Sequence, residues 1–492
     1  MKLIVQIKSY WLIIIILVVA AILRFWHLEE LTTFSGDQGY DFLIVKRMIA
    51  DGKFTLLGPK IGPYNGVGDL YLGPAYYYLL APSLLLFRLD PIGPAVLTVV
   101  ASLGTIFLIY KIGVKYFRRS IAILSASLYA INALLIDQSR AASNPHLIPL
   151  FASLATYVTL EMTYKKSKLI VWPLICGICL GIMFQLHYLT TSFTASVFII
   201  LLFIKRFRAI SFVTLGFLAA ISGQILFEIR HEFFITNQFI KQISFGQNIL
   251  PFNKLDTQIS NSVQQLSLAF LNTSKFLYLV IPILLVSVLL YTRKNQKSTV
   301  PIALLTLTVI LGLILPSFYS GEIGFHYFAP IYPSFIILIS IALISIFKVS
   351  NHFAPRTVVI ILIAQIFTAN LITLNLTRQE GYTMPKGWNL KGIKKASEII
   401  AQDSENSKFN IASTLDGDTR ARPYRYLVET KGKIPLDVEH YPDAEIVYLI
   451  ARDDRQTVKS YTVWEVASLA PFEFEGEWEI QNNIKLYKLA KN

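Results

Sequence analysis

Long apolar runs recur along most of this chain, and they constrain its fold more than any other feature. Examples are WLIIIILVVAAIL at 11–23, VIPILLVSVLL at 280–290 and FIILISIALISIF at 335–347. Apolar residues make up 54% of the chain and charged residues 15%, and the mean hydropathy is +0.53. A bilayer core of about 30 Å needs helices of about 20 such residues, whose backbone groups are all bonded internally. The composition therefore predicts an all-α polytopic membrane protein and excludes a soluble one.

The spacing of these runs predicts about eleven transmembrane helices. The predicted spans are 10–26, 93–112, 121–137, 147–164, 169–185, 189–204, 209–227, 275–292, 299–319, 327–347 and 357–376. Basic clusters fall between alternate spans, which places them all on one face, and cytoplasmic loops are the ones enriched in Lys and Arg. We predict a multi-pass protein of the cell (cytoplasmic or inner) membrane, with an uncleaved signal anchor, a cytoplasmic N-terminus and the C-terminus outside.

One apolar segment, Tyr71 to Leu89, is left out of this count. If it crossed the membrane, Lys2 and Lys8 would lie opposite every later basic cluster. Its prolines and consecutive tyrosines favour an interfacial position instead. We expect a juxtamembrane or re-entrant helix in the first outer loop.

The net charge of +14 does not indicate nucleic-acid binding. The basic residues are dispersed in short clusters at the span ends, a distribution typical of contact with anionic membrane lipids. Cys176 and Cys179 lie in an apolar run without polar neighbours, which favours packing over redox chemistry or metal binding.

Two large outer loops are predicted, at about 27–92 and 228–274, and the first begins with the acidic stretch FSGDQGYD. Ser35 is placed to cap a helix that starts near Gly36 and ends at Asp51-Gly52. Asp37 and Asp41 are four residues apart and so share one face of that helix. A carboxylate just past a membrane span can act as a base toward a polar acceptor while a lipid-linked substrate lies beside it.

Other polar residues at the outer ends of spans are candidates for substrate binding. They are Asp41, Arg140, His187, Arg230, His231, His326, Tyr327, Tyr76 and Tyr77. Each candidate also has a purely structural explanation. Asp37 could be a favourable acid at a helix N-terminus, and Asp41 could pair with Arg47. Arg140 could extend its side chain to the interface, the histidines could be interfacial residues, and the tyrosines could form an aromatic belt. The spacing of acidic and histidine side chains does not suggest a metal site.

From Arg378 onward, charged residues become frequent and the apolar runs shorten to strand length. We predict a transmembrane domain over 1–376 and a small α/β extracytoplasmic domain over 377–492. In the second domain, KGIKKASEIIAQ and QTVKSYTVWEVASLA are predicted as helices, KFNIASTL and AEIVYLIA as strands, and FEFEGEWEI with NIKLYKL as a hairpin.

Several of these motifs together resemble the GT-C membrane glycosyltransferases of family 39, which include the dolichyl-phosphate-mannose protein mannosyltransferases and the aminoarabinose transferase of lipid A. GDQGYD resembles the acidic start of the family's first outer loop, with Gln38 in place of the usual glutamate. LGPAYYYLLAP resembles the proline-aromatic helix of that loop. QSRAASNPHLIPLFA and GICLGIMFQLHYL resemble later span boundaries. The resemblance covers roughly residues 10–376.

The resemblance implies a GT-C-like fold and an inverting transfer of a sugar from a polyprenyl-phosphate donor at the outer face. Asp37 would be the catalytic base. Independently of the resemblance, Arg140 or Arg230 is suited to hold the leaving phosphate, because each is a cation at the outer face. No cofactor and no metal would be required. The acceptor would be a lipid, a glycan or a protein.

Two other functions remain open on the sequence alone. A transporter or flippase for lipid-linked sugars would place ionisable groups at mid-membrane and often show repeated halves, and neither feature is seen here. A polysaccharide polymerase or ligase would share the donor but rely on arginines at the outer face.

Overall fold

The computed structural model of the chain describes residues 2–61, 70–164, 170–244, 255–271, 291, 296–319, 322–349, 353–405, 407–415 and 417–492. The predicted span at 275–292 lies outside these residues, apart from Tyr291. Within the described part, a polytopic helical domain carries a small α/β domain at its C-terminal end, as the sequence predicts.

Long apolar helices form most of the first domain. They are α1 (Lys2–Phe25), α5 (Ile92–Tyr116), α6 (Arg119–Ile131), α7 (Ala133–Ser139), α8 (Ile148–Tyr164), α9 (Val171–Leu186), α10 (Thr191–Phe203), α11 (Phe207–Ala220), α12 (Ser222–Arg230), α15 (Thr299–Ile314), α16 (Tyr332–Val349) and α17 (Phe353–Leu374). Each falls on a predicted span. Helices α13 (Phe234–Ser244) and α14 (Leu255–Leu271) follow α12 and lie in the predicted second outer loop.

Among the described residues, four helices are long and apolar enough to cross a membrane by themselves. Two bent pairs, α6 with α7 and α11 with α12, bring this number to six if each pair is one span. Five shorter apolar helices remain. One of them, Ala75–Leu86, lies within the segment Tyr71 to Leu89 that was left out of the predicted count. The predicted count of about eleven spans therefore stays a prediction.

The bent pairs were expected as single straight spans. Helix α7 is inclined by 62° to α6, and Asn132 lies at the break. Its side chain accepts a hydrogen bond from Leu135 N at 2.9 Å and donates one to Ala269 O at 2.8 Å. Because an asparagine that caps a new helix competes with continuation of the previous one, Asn132 fixes the bend.

The first outer loop contains the short helix α2 (Leu28–Leu31), then α3 (Gly36–Asp51), strands β1 (Lys60–Ile61) and β2 (Leu70–Tyr71), and α4 (Ala75–Leu86). Helix α3 begins after Ser35 and ends at Gly52, whose φ of 64° is left-handed, as predicted. Helix α4 has 12 residues, or about 18 Å, which is shorter than the hydrocarbon core. Its length agrees with a juxtamembrane helix.

The C-terminal domain is a four-stranded sheet with strand order β3–β4–β6–β5. The strands are β3 (Phe409–Ser413), β4 (Ile446–Ala451), β5 (Phe472–Gln481) and β6 (Ile484–Lys491), and the helices are α18 (Leu390–Asp403), α19 (Arg422–Thr430), α20 (Arg455–Val458) and α21 (Trp464–Ala467). Strands β3 and β4 are parallel and the other pairs antiparallel. The single helix predicted over QTVKSYTVWEVASLA is wrong, because the segment forms two short helices with an extended break between them.

Ion pairs attach the C-terminal domain to the first outer loop. On α18, Lys391 lies 2.5 Å from Glu30, and Lys394 lies 2.7 Å from both Glu29 and Asp90. A buried contact adds to these pairs, since Tyr426 donates a hydrogen bond to Leu89 O at 2.6 Å. The domain therefore lies against the loop that carries Asp37.

Candidate active site

Asp37 lies in the first turn of α3 with its side chain exposed. The turn is fixed by Gln38, whose side-chain oxygen accepts hydrogen bonds from the Ser35 backbone N at 3.1 Å and from its hydroxyl at 2.7 Å. A helix N-terminus favours a negative charge. Asp37 is therefore an accessible carboxylate at a rigid position.

Asp41, one turn further on, is in a different environment. Its side chain is buried and accepts a hydrogen bond from the Tyr77 hydroxyl at 3.0 Å. Burial, with a smaller contribution from the charge of Asp37, raises the pKa of Asp41 to about 8. At neutral pH this carboxyl is mainly protonated, so the two acids of the pair lie in different environments, one exposed and one buried. The alternative pairing with Arg47 is not formed, because Arg47 contacts Glu429.

Two of the three tyrosines of α4, Tyr76 and Tyr77, lie near the buried acid. The Tyr77 hydroxyl is bonded to Asp41, whereas the buried Tyr76 hydroxyl has no hydrogen-bond partner among the described residues. Burial and the neighbouring carboxyls raise the pKa of both phenols, which keeps them protonated donors. These tyrosines are packed inside the protein and are not an exposed aromatic belt.

His187, His326 and Tyr327, which come from two different connections between spans, lie together. The ring centroids of His187 and His326 are 5.8 Å apart, and those of His187 and Tyr327 are 5.4 Å apart. Burial lowers the pKa of His187 to about 3 and that of His326 to about 4. At pH 7 these imidazoles are neutral, so they can donate and accept hydrogen bonds without bringing positive charge.

An apolar cavity of about 680 Å³ is lined in part by Tyr188 and Leu189, the two residues that follow His187. Its walls come from the end of α9, the start of α10, and helices α12 and α13, with Leu70 and Leu315. Its polar side chains include Tyr188, Gln224 and Glu228. The Glu228 carboxylate is already hydrogen-bonded to α13, because it accepts from Ile235 N at 2.8 Å and from Thr236 N at 2.9 Å. The buried side-chain oxygen of Gln224, in contrast, has no partner among the described residues.

A short segment joins this cavity to the acid pair. Leu70 lines the cavity, and Tyr188 donates a hydrogen bond to the Tyr71 carbonyl at 2.5 Å. At the start of α4, Ala75 N donates to the side-chain oxygen of Gln185 at 3.3 Å. Helix α4 then presents Tyr77 to Asp41. The cavity and the acids are therefore the two ends of one connected structure.

The structure does not bring Arg140 into this cavity. Its guanidinium bonds to the carbonyl oxygens of Arg24 at 3.2 Å, Trp26 at 3.4 Å and Leu23, and its side chain is only 1% exposed. Asp137 lies 3.7 Å away. These contacts hold the C-terminal end of α1, because they satisfy carbonyls that have no partner within the helix. The structure thus gives Arg140 a role in packing.

Arg230 and His231 lie at the exposed end of α12. The His231 ring stacks on Phe227 with centroids 4.1 Å apart. Arg230 follows directly after Ile229, which lines the cavity. Of the two predicted phosphate-binding arginines, Arg230 is the exposed one, and it is next in sequence to a residue of the cavity wall.

Three residues of this arrangement were missed in the sequence: Tyr188, Gln224 and Arg422. Tyr188 adjoins the predicted His187, and Gln224 is a polar residue inside an apolar run, so both left a weak signal. Arg422 of the C-terminal domain has its guanidinium 5.0 Å from the Tyr40 ring, and no local pattern relates positions so far apart. Among the described residues, no group of three or more His, Cys, Asp or Glu is arranged to hold a metal ion.

Replacing Asp41 by asparagine tests the protonated state of this carboxyl. Asparagine retains the acceptor for Tyr77, so we expect transfer activity at pH 7 to remain within a few-fold of the wild type. The pKa of Asp41 is raised on folding, from about 4 in an unfolded chain to about 8. Its contribution to stability is therefore fully present below pH 4 and is lost as the pH rises through 8. We expect the asparagine variant to lose less stability than the wild type between pH 6 and pH 9 in thermal unfolding.

Comparison with known proteins shows a partial match to one family and a shared fold. A sequence model of the dolichyl-phosphate-mannose-protein mannosyltransferase family matches residues 72–227, about a third of the chain. No curated protein sequence matches.

Solved structures match nearly the whole chain. ArnT from Cupriavidus metallidurans, bound to undecaprenyl phosphate, is 12% identical with a TM-score of 0.63 and 98% of both chains covered. The Archaeoglobus fulgidus oligosaccharyltransferase is 14% identical with a TM-score of 0.52, covering 98% of this chain and 73% of that one. The arabinofuranosyltransferase AftD from Mycobacteria is 10% identical with a TM-score of 0.55, and the match covers 98% of this chain and 40% of that one. The chain has the GT-C fold of these membrane glycosyltransferases, and the predicted resemblance is confirmed.

Proposed function

We propose that this GT-C chain transfers a sugar, with inversion, from a polyprenyl-phosphate donor to an acceptor at the outer face of the membrane. Asp37 takes the proton from the acceptor hydroxyl while the acceptor oxygen forms a bond to the anomeric carbon of the sugar. The bond between that carbon and the phosphate oxygen breaks, and polyprenyl phosphate leaves. No cofactor takes part in this reaction.

The pairing of Asp37 with Asp41 is the observation that carries this proposal. A base must be ionised and accessible, and Asp37 is exposed at a helix N-terminus. Its neighbour is buried and mainly protonated at neutral pH, so it does not repel an approaching phosphate. Two acids whose environments separate their charge states are typical of acid–base sites.

The cavity supports a lipid-linked donor. An opening of about 680 Å³ with mainly apolar walls suits an isoprenoid chain, whose burial is favourable in proportion to its apolar area. The free side-chain oxygen of Gln224 can accept a hydrogen bond from a sugar hydroxyl. His187 directly precedes Tyr188 of the cavity wall, and with its neighbours His326 and Tyr327 it offers further hydrogen-bonding groups. Arg230 is the proposed phosphate contact, because it is an exposed cation that directly follows Ile229 of the cavity wall.

The named ligand of a solved relative agrees with this donor class. The structure of ArnT contains undecaprenyl phosphate, a lipid phosphate of the kind that would leave after sugar transfer. The family name of the matching sequence model likewise refers to a dolichyl-phosphate sugar. We propose a cytoplasmic N-terminus and an extracytoplasmic C-terminal domain, so that the site faces the outer side where such donors are consumed.

The direct test is mass spectrometry of surface glycolipids and glycoproteins from cells with and without the chain. A lost sugar on one acceptor class would identify both acceptor and sugar. Purified protein in vesicles should then release polyprenyl phosphate from a polyprenyl-phosphate sugar. Movement of the intact donor across the bilayer without release would instead identify a flippase.

Filling the cavity is expected to weaken donor binding. Ile225 lines the cavity, whereas the next residue, Leu226, is 62% exposed and does not. We expect Ile225→Trp to raise the KM for a polyprenyl-phosphate sugar by roughly tenfold or more, since an added ring excludes apolar atoms of the chain. Leu226→Trp, the same change on the same helix, should leave KM unchanged. Equal KM values for the two variants would remove the cavity from the proposal.

A further inference from the structure

The two glycines that flank Asp37 lie directly against the C-terminal domain. A Cβ atom at Gly36 would lie 2.7 Å from the Asp418 carboxylate, and one at Gly39 would lie 2.4 Å from the backbone nitrogen of Pro423. Both distances are far below van der Waals contact. The two glycines of GDQG are therefore needed for the close approach of the loop 418–423, because any larger residue would clash with it.

Arg422 is the cation that this loop places next to the acid pair. Its guanidinium lies 5.0 Å from the centre of the Tyr40 ring, one turn from Asp37. Asp418 is its one charged partner within ion-pair distance among the described residues, at 4.0 Å, and the Arg422 side chain is 29% exposed. A guanidinium has five N–H donors. Most donors of Arg422 therefore have no partner among the described residues.

Contacts further along the interface fix the loop relative to Asp37. Glu429 at the end of α19 lies 3.2 Å from Lys46 and 2.9 Å from Arg47, both on α3. The Tyr426 ring packs against Phe34 and Phe42, with centroids 5.9 and 5.7 Å away. Helices α19 and α3 thus move together, so Arg422 is held at a constant position beside the base.

We propose that Arg422 positions the acceptor for attack, and that the acceptor carries an oxyanion, either a phosphate or a carboxylate, which this guanidinium binds. The inference rests on the proposed function of Asp37. Arginine suits this role because its planar fork forms paired, charge-assisted hydrogen bonds to oxyanions. The C-terminal domain is then part of the active site and selects the acceptor, while the transmembrane domain holds the donor.

The test separates transfer from donor hydrolysis. In hydrolysis, water replaces the acceptor: its oxygen bonds to the anomeric carbon, its proton goes to Asp37, and polyprenyl phosphate leaves. Full-length protein is added to membrane vesicles from cells that lack the chain, which supply the natural acceptor, together with a labelled polyprenyl-phosphate sugar. Labelled membrane product and free labelled sugar are measured in the same sample.

We expect Arg422→Ala to lower transfer roughly 10- to 100-fold, the value of a hydrogen bond to a charged group, and to leave hydrolysis within twofold. Arg422→Lys, which keeps the charge without the fork, should recover part of the transfer. Arg420→Ala is the matched control, because Arg420 is an exposed cation of the same loop, and it should change neither rate. Inorganic phosphate should inhibit transfer in the wild type and not in Arg422→Ala.

A parallel fall of transfer and hydrolysis in Arg422→Ala would overturn the inference, because it would mean a structural role. Unchanged transfer in Arg422→Ala would overturn it as well. Phosphate inhibition that persists in Arg422→Ala would contradict the proposal that Arg422 binds an oxyanion of the acceptor. Failure of the proposed function looks different: Asp37→Asn would then leave both transfer and hydrolysis at wild-type rates.

Discussion

Replacing Asp37 by asparagine is expected to lower sugar transfer roughly 100- to 10,000-fold, the usual contribution of a positioned general base. Asparagine has nearly the same shape and keeps its place in the first turn of α3, but it cannot take a proton from the acceptor. Binding of polyprenyl phosphate, the leaving group, should be unchanged, because the cavity that we assign to it lies at the other end of the segment Leu70–Tyr77. Turnover and lipid-phosphate binding are measured on the same purified sample.

The matched control is Asp51→Asn. Asp51 is an exposed acid at the opposite end of α3, 3.9 Å from Lys53, so the same change is made on the same helix away from the site. Its activity should equal that of the wild type. The contrast with Asp41→Asn is equally informative, since only one acid of the pair is expected to be needed in its ionised form. Transfer by Asp37→Asn within a few-fold of the wild type would refute its assignment as the base.

Replacing Asp137 by asparagine is expected to destabilise the transmembrane domain by about 3–5 kcal/mol, the range for a buried ion pair that loses one partner. The Asp137 side chain is 9% exposed and binds Arg378 through both oxygens, at 2.6 and 3.1 Å. Arg140 lies 3.7 Å away and is itself 1% exposed. Without the carboxylate, two guanidinium groups remain close together with no countercharge. The measurement is the apparent melting temperature in lipid nanodiscs.

Asp256→Asn is the control for this change, because Asp256 is an exposed acid in the first turn of α14. It should melt like the wild type. Adding Arg378→Gln to Asp137→Asn should restore part of the lost stability, since it removes one of the two uncompensated charges. If Asp137→Asn melts at the temperature of the control, the cluster does not stabilise the fold. In that case the free Arg140 would become a candidate for phosphate binding again.

Local patterns predicted the helix after Ser35, with its glycine stop at Gly52, because capping and termination depend on neighbouring residues. Helix α18 and the four strands of the C-terminal domain were predicted for the same reason. The bend at Asn132 was not, because it depends on a bond from Asn132 to Ala269, which belongs to a distant helix. The two short helices within 456–470 were missed because an amphipathic pattern does not reveal where a helix breaks.

Long-range contacts decided the candidate site. Asp37 and Asp41 have the same side chain, and only the burial of Asp41, where Tyr77 from 36 residues further on contacts it, makes it a mainly protonated acid. Arg140 was predicted as a phosphate ligand from its position at a span end. Its partners in α1, more than 100 residues earlier, instead give it a packing role. A residue's charge state and free donors depend on what surrounds it, and sequence distance does not report this.

The sequence by itself determined that the chain crosses the membrane as helices, that a small α/β domain follows, and which polar residues lie at span ends. These properties follow from local hydropathy and periodicity, which are set by neighbouring residues. Only the tertiary structure decided that His187 and His326 meet, that an apolar cavity forms with Tyr188 and Leu189 in its wall, and that Arg422 reaches the helix of Asp37. Each depends on packing between segments far apart in the chain, where burial and shape fix both contact and charge.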